Sequence, residues 1–110
     1  MANAYKYSQI NGTNGTSTYA TLYTTPASTE AVVSSIVVCN RNTSSATYRI
    51  GTDTTAGTPA NEEFIVYDAV IAANDSVCLT LGVCLDPQKY LRVSSSASTV
   101  GFSAFLTEIT

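Results

Sequence analysis

The side chains of this sequence that could do chemistry are few: the run Cys39-Asn40-Arg41, the isolated Arg49, scattered carboxylates, two further cysteines, and tyrosines near the N-terminus. A nucleophilic cysteine needs a base, normally histidine, to form its thiolate. The chain has no histidine. Strand alternation places Cys39 on the same face as Val33, Ser35 and Val37. It is therefore expected to be packed, with Asn40 to Ser45 as a turn and Arg41 at the rim. Arg49 lies between Tyr48 and Ile50 and is expected to point outward, where its guanidinium can pair with a carboxylate on a neighbouring strand or subunit. Among the carboxylates, Asp75 and Asp86 sit in turn sequences, where Asp caps local backbone N–H groups. Glu62 and Glu63 adjoin a loop. No spacing singles out a pair as acid and base for glycoside hydrolysis, and no acidic loop motif predicts calcium. Zinc would require a CxxC-type spacing or histidines. No catalytic residue, metal or cofactor is expected. Tyr5, Tyr7 and Tyr19 could stack on sugar rings or bridge core and surface as half-buried tyrosines commonly do.

The elements that must hold these groups read as strands. "TYATLYT" alternates Tyr19, Thr21 and Tyr23 against Ala20, Leu22 and Thr24, a period of two. "AVVSSIVVCN", "SATYRIGT", "EFIVYDAVI", "SVCLTLGVCL", "YLRVSSS" and "VGFSAFLTEI" follow, separated by Gly, Pro, Asn, Asp and Ser. In "SVCLTLGVCL", Val77, Leu79, Leu81 and Val83 share one face and Cys78, Thr80, Gly82 and Cys84 the other. Short strands at roughly 12-residue spacing predict an all-β fold: a single antiparallel β-sandwich, jelly-roll or immunoglobulin-like, of about seven strands. "NGTNGTST" is turn material. The preceding "AYKYSQI" is a loose arm or an edge strand. The expected division is an N-terminal arm over residues 1–17 and a β-sandwich over 18–110, with the two termini on opposite sheets. The N-x-[ST] matches at Asn11, Asn14, Asn42 and Asn74 read as turns.

With 110 residues the chain is long enough for one core without metal or disulfide support. Charged residues make up 12% of it, about half the usual share. The surface is therefore neutral, hydroxyl-rich and weakly protected against self-association. The net charge is −3 with five basic residues spread along the chain, which argues against nucleic acid as a partner. No apolar run is long enough to span a membrane. The N-terminal stretch has no charged region followed by an apolar one, which predicts folding in a cytoplasm. Three cysteines leave at least one thiol free unless chains pair. Cys78 and Cys84, if on one strand, lie roughly 20 Å apart, beyond disulfide reach.

The runs "LYTTPASTEAVVSSIVVCNRNTSSATYRI", "IVYDAVIAANDSVCLTLGVCL" and "SASTVGFSAFLTEIT" resemble small structural proteins of tailed bacteriophage virions, of the kind found in phages of cyanobacteria and marine bacteria. The resemblance runs from Tyr19 to the end. It implies a non-enzymatic β-sandwich component of the virion, made in the host cytoplasm. The first role it suggests is a capsid decoration, or cement, protein that bridges major capsid subunits. A tail, baseplate or fibre-attachment component is an open alternative, as is a host-surface carbohydrate-binding module. The expected partners are other virion proteins and further copies of the chain, a trimer being one possibility. Tyr5, Lys6, Tyr7, Arg49 and Glu62 are the candidate assembly contacts.

Overall fold

A computed structural model describes residues 3–54 and 57–110. Positions 1 and 2 of the expected N-terminal arm, and 55 and 56 of the loop between Asp53 and Glu63, lie outside the described residues. The described residues form eight strands: β1 (Asn3–Asn11), β2 (Gly15–Thr24), β3 (Glu30–Asn40), β4 (Ala46–Asp53), β5 (Phe64–Ile71), β6 (Ser76–Leu85), β7 (Tyr90–Ser95) and β8 (Val100–Ile109). A 3-10 turn at Asn61–Glu63 precedes β5. Among the described residues no helix is long and apolar enough to cross a membrane.

The strands make two four-stranded antiparallel sheets, ordered β1-β8-β3-β6 and β2-β7-β4-β5. The pairing follows one rule. β1 pairs with β8, β2 with β7, β3 with β6 and β4 with β5, as if one long hairpin had been folded at the β4–β5 turn. Rolling that ladder brings β3 against β8 and β4 against β7. This is the jelly-roll solution of the two left open by the sequence. It also corrects the expectation for the termini. β1 and β8 are neighbours in one sheet, paired from Asn3–Ile109 to Asn11–Gly101, because the ends of a rolled hairpin stay together. The segment "AYKYSQI" is an edge strand and supplies the eighth strand.

The core lies between the sheets. Val33, Ile36, Val38, Phe102 and Leu106 come from one side and Leu22, Tyr48, Ile50, Leu91 and Val93 from the other, all buried. Each such side chain contributes about 1.5–3 kcal/mol on burial. Tyr48 and Phe102 meet edge-on across the sheets, with ring centroids 6.2 Å apart. Tyr23 also bridges the sheets, its hydroxyl donating to the Glu108 carboxylate. Burial, reinforced by that carboxylate, pushes the Tyr23 hydroxyl's pKa upward. Gly12 lies where any Cβ would stand 2.1 Å from the Ser95 hydroxyl and 2.9 Å from the Phe102 ring. Only glycine lets the β1–β2 connection close over that corner.

Candidate interaction surfaces

The run Cys39-Asn40-Arg41 closes β3, and its middle residue holds the corner together. Asn40 is buried. Its amide donates to the carbonyls of Ser44 at 3.0 Å, Ala72 at 3.2 Å and Ile71 at 3.4 Å. Its carbonyl accepts the Asn42 N–H at 3.1 Å. Asn40 thus ties the β3–β4 turn to the end of β5. Arg41 is exposed and donates to the Thr99 carbonyl at 3.3 Å and to Asn11 at 3.1 Å.

Cys39 is half-buried and faces outward, which corrects its expected packing. The register shifts between Val33 and Ser35 against both neighbouring strands. This bulge at Ser34, whose hydroxyl donates to the Phe105 carbonyl, reverses the alternation. Val33 points inward before it; Ile36, Val38 and Asn40 point inward after it. Cys39 goes with Val37 to the solvent side, in a shallow depression beside Gln9, Arg41 and Ser103. None of the residues lining that depression is a general base that could activate the thiol.

The outer face of the β2-β7-β4-β5 sheet carries the charges. The Arg49 guanidinium donates to both Asp68 oxygens, at 2.7 and 3.2 Å, to the Tyr19 hydroxyl at 3.0 Å and to the Thr16 carbonyl at 3.2 Å. It also stacks on Tyr67, 4.1 Å from the ring centroid. The outward direction expected for Arg49 is correct, and its carboxylate lies on the adjacent strand of the same chain. The hydrogen bonds from Arg49 hold the Asp68 carboxyl below the usual carboxylate range. A parallel arrangement has Arg92 over Tyr90 at 4.3 Å, paired with buried Asp53 at 3.2 Å and bonded to the Thr21 hydroxyl. Asp53 also accepts the Gly57 N–H at 2.6 Å.

The remaining carboxylates are dispersed. Glu63 accepts the Ala60 N–H and lies 3.6 Å from Lys89. Glu62 is exposed beside it. Asp75 accepts the Ser76 N–H at 2.8 Å. Among the described residues no three His, Cys, Asp or Glu groups converge on a point that could hold a metal ion.

Tyr19 belongs to this charged face, apart from Tyr5 and Tyr7. With Phe64, Tyr67, Arg49, Asn61 and Ser17 it lines a cleft of about 250 Å³. Phe64 meets Tyr67 edge-on at 4.9 Å and Tyr19 at 6.0 Å. Nothing in the local sequence singles out Phe64 and Tyr67; the register Gly51–Phe64, which brings them beside Arg49, is a long-range pairing.

The opposite outer face, of the β1-β8-β3-β6 sheet, is uncharged. Register and alternation place Tyr5, Tyr7, Gln9 and Asn11 of β1 beside Thr107, Phe105, Ser103 and Gly101 of β8. Val32, Val37 and Cys39 of β3 follow, then Cys78, Thr80, Gly82 and Cys84 of β6. Between Glu30 at one end and Arg41 at the other, strand alternation points none of the described Asp, Glu, Lys or Arg side chains outward from it, and Lys6 alone among them lines its groove. Tyr5 is 89% exposed, Tyr7 71% and Phe105 40%. They border a shallow groove of about 460 Å³ with Lys6, Ser34, Leu106 and Thr107. Lys6 is opposite Leu106, on the other side of its strand. The five candidate contacts are therefore not one surface. Tyr5 and Tyr7 share this face, Arg49 sits on the other sheet, and Glu62 is in the 3-10 turn before β5. The alternation Gly101, Ser103, Phe105, Thr107 in β8 is the sequence signal for the uncharged face.

No family model matches the sequence. No curated protein matches it. Solved structures do. The chain shares its fold with virus-particle chains. It superposes on a chain of the T13 IBDV viral particle with a TM-score of 0.55 at 8% identity, over 96% of this chain and 30% of that one. It superposes on a chain of infectious bursal disease virus, Gx strain, with a TM-score of 0.54 at 11% identity, over 98% of this chain and 31% of that one. The chain thus spans about a third of the length of the virus chains it matches. At these identities the likeness is one of fold.

Proposed function

We propose that this chain is a non-enzymatic structural component of a virion, and that it decorates the capsid by bridging neighbouring major capsid subunits. The observation that carries the reading is the sparsely charged outer face of β1-β8-β3-β6, on a fold shared with virus-particle chains. Burying such a face removes apolar area from water at about 25 cal/mol per Å². It strands few formal charges in the contact, the cost that most often defeats burial. Exposed Tyr5, Tyr7 and Phe105 are suited to anchor it, since aromatics dominate interface energetics. Copies repeated on a lattice multiply modest contacts into firm attachment.

The test is to mix the protein with expanded heads that lack it and sediment them. Co-sedimentation in proportion to the head lattice is the expected outcome. Binding to purified tails in place of heads would replace this reading with a tail or baseplate role. A second reading, host-surface carbohydrate binding, draws on the cleft at Tyr19, Phe64 and Tyr67, where aromatic faces adjoin the Asn61 amide and the Ser17 hydroxyl. Retention on immobilised host polysaccharide, lost in Tyr67→Ala, is the measurement that would favour it.

A further inference from the structure

We infer that two copies of this chain pair along their β6 edges, antiparallel about a two-fold axis through Leu81, so that Cys78 of each copy faces the partner's Cys84. The inference stands on its own and does not need the virion reading.

β6 ends its sheet, with β3 on one side and no described strand on the other. A free strand edge invites pairing, and proteins usually guard it with charge, proline or irregularity. The other edges are guarded. β1 carries Lys6, β5 carries Asp68 and two register shifts, and β2 has two register shifts. β6 runs ten residues, Ser76–Leu85, with no charged residue and no proline. Its one irregularity is the shift against β3 near Leu81 and Gly82. The proposed axis passes through that point, so the ladder runs as two equal arms on either side of it.

What identifies the occupant as a second copy is the order of residues. Val77-Cys78-Leu79-Thr80-Leu81-Gly82-Val83-Cys84-Leu85 reads nearly alike from either end. A closed two-fold contact requires such self-complementarity. Centred on Leu81, Leu79 meets the partner's Val83, Val77 meets the partner's Leu85, and Thr80 meets the partner's Gly82. The inward set Val77, Leu79, Leu81 and Val83 is only half-buried in the single chain. Pairing would cover it. The outward set Cys78, Thr80, Gly82 and Cys84 is exposed, and no like charges oppose each other across the ladder. Asp75 and the partner's Asp86 come one position off register in the turns beyond each strand end, within a Debye length of each other, so the pairing should strengthen as salt rises.

The size is sufficient. A ten-residue strand is about 33 Å long, and the side wall of two sheets stacked about 10 Å apart is about 20 Å wide with its side chains. Two such walls bury on the order of 1,300 Å², within the range of specific interfaces. Directly opposed residues in an antiparallel ladder have Cα atoms about 4.5–5.5 Å apart, inside the span a disulfide bridges. Within one chain Cys78 and Cys84 cannot reach each other, being roughly 20 Å apart on one strand.

Oxidative cross-linking of the full chain reads the register directly. In a Cys39→Ser background, diamide takes two electrons and two protons from each opposed thiol pair as the disulfide forms. The expected product is a covalent dimer. Adding Cys78→Ser alone or Cys84→Ser alone should abolish it, because identical cysteines then lie roughly 20 Å apart across the axis. Mixing the two single variants should restore it. Gly82→Lys should cut the cross-linked yield at least tenfold and leave the melting temperature unchanged at a concentration where the parent is also a single chain, since a Cβ at Gly82 meets nothing within 4 Å. Cross-linking of either single variant as efficient as that of the mixture would overturn the register. Undiminished cross-linking of Gly82→Lys, or a monomer by light scattering with no cross-link in the parent, would overturn the pairing.

Discussion

Arg49 grips Asp68 with two parallel hydrogen bonds across the β4–β5 ladder, Nε to Oδ1 at 2.7 Å and Nη2 to Oδ2 at 3.2 Å. The grip falls where the register slips between Tyr48 and Ile50 and where Asp68 takes a left-handed backbone, φ 55°. The ion pair therefore holds an irregular edge strand in place. Its contribution should depend on pH. Asp68 has a depressed carboxyl pKa in the folded chain. The stability it confers is complete above the unfolded value of about 3.9 and is lost as pH falls from there through the folded value. Asp68→Asn keeps a side chain that tolerates positive φ and removes the charge. Thermal melts between pH 7 and pH 2 should show a shallower acid loss in Asp68→Asn than in the parent. Equal slopes would mean the pair contributes nothing that titrates.

Much of the architecture is legible in the sequence. Alternation at β2, β4, β6 and β8 marks strands directly. The breaks "TPAST" after β2 and "AANDS" after β5 separate their neighbours. What local pattern cannot carry is pairing between distant segments. The neighbourhood of β1 and β8 follows from the rolled hairpin as a whole, and no residue near either terminus encodes it. Alternation misplaces Cys39 for a different reason. A bulge adds one residue without any distinctive side chain, and Ser34 looks like any other serine. The outward direction of Arg49 is readable because Tyr48 and Ile50 flank it; its partner Asp68 is not, since that contact depends on the β4–β5 register.

Asn40 is the residue of the Cys39-Asn40-Arg41 run whose loss should be felt most. Its four hydrogen bonds satisfy three backbone carbonyls and one backbone N–H. Asn40→Ala leaves those groups short of partners in a buried corner and should cost on the order of 2–4 kcal/mol by urea unfolding. Asn40→Asp should be worse at pH 7 than at pH 4. A carboxylate there would face carbonyl oxygens and be desolvated, raising its folded pKa, so the penalty grows as pH rises. A loss for Asn40→Ala below about 0.5 kcal/mol would show that water replaces the amide without strain.

The core makes a graded prediction along one sheet. Phe102 is fully buried and packs on Tyr48 from the other sheet. Phe102→Ala should cost about 3–5 kcal/mol. Leu79, half-buried on the edge strand β6, should lose about 1–2 kcal/mol as alanine, because part of its side chain already meets water. Thr80→Ala, on the exposed side, should fall within about 0.5 kcal/mol of the parent. Chemical denaturation of the three variants at a concentration favouring the single chain checks the order. Equal losses at Leu79 and Thr80 would mean that both faces of β6 are covered.

The uncharged face makes the functional prediction. Removing β1 outright would be a poor probe, since Ser8 donates to the Leu22 carbonyl and Ile10 packs on the core. Point charges are cleaner. Tyr7 and Phe105 are paired across β1 and β8 and both reach solvent. Tyr7→Glu with Phe105→Glu should lower the melting temperature only modestly, because neither side chain is in the core although the two carboxylates then oppose each other across the ladder. If the face packs against a capsid subunit, two desolvated and unpaired carboxylates should lower head binding by at least about a hundredfold. Val70→Glu is the control. Val70 is 70% exposed on β5, in the other sheet, and its substitution should leave head binding intact. Full binding by the Tyr7/Phe105 double variant would remove this face from the contact. Loss in Val70→Glu alone would move the contact to the charged sheet, where Arg49 and Tyr67 lie.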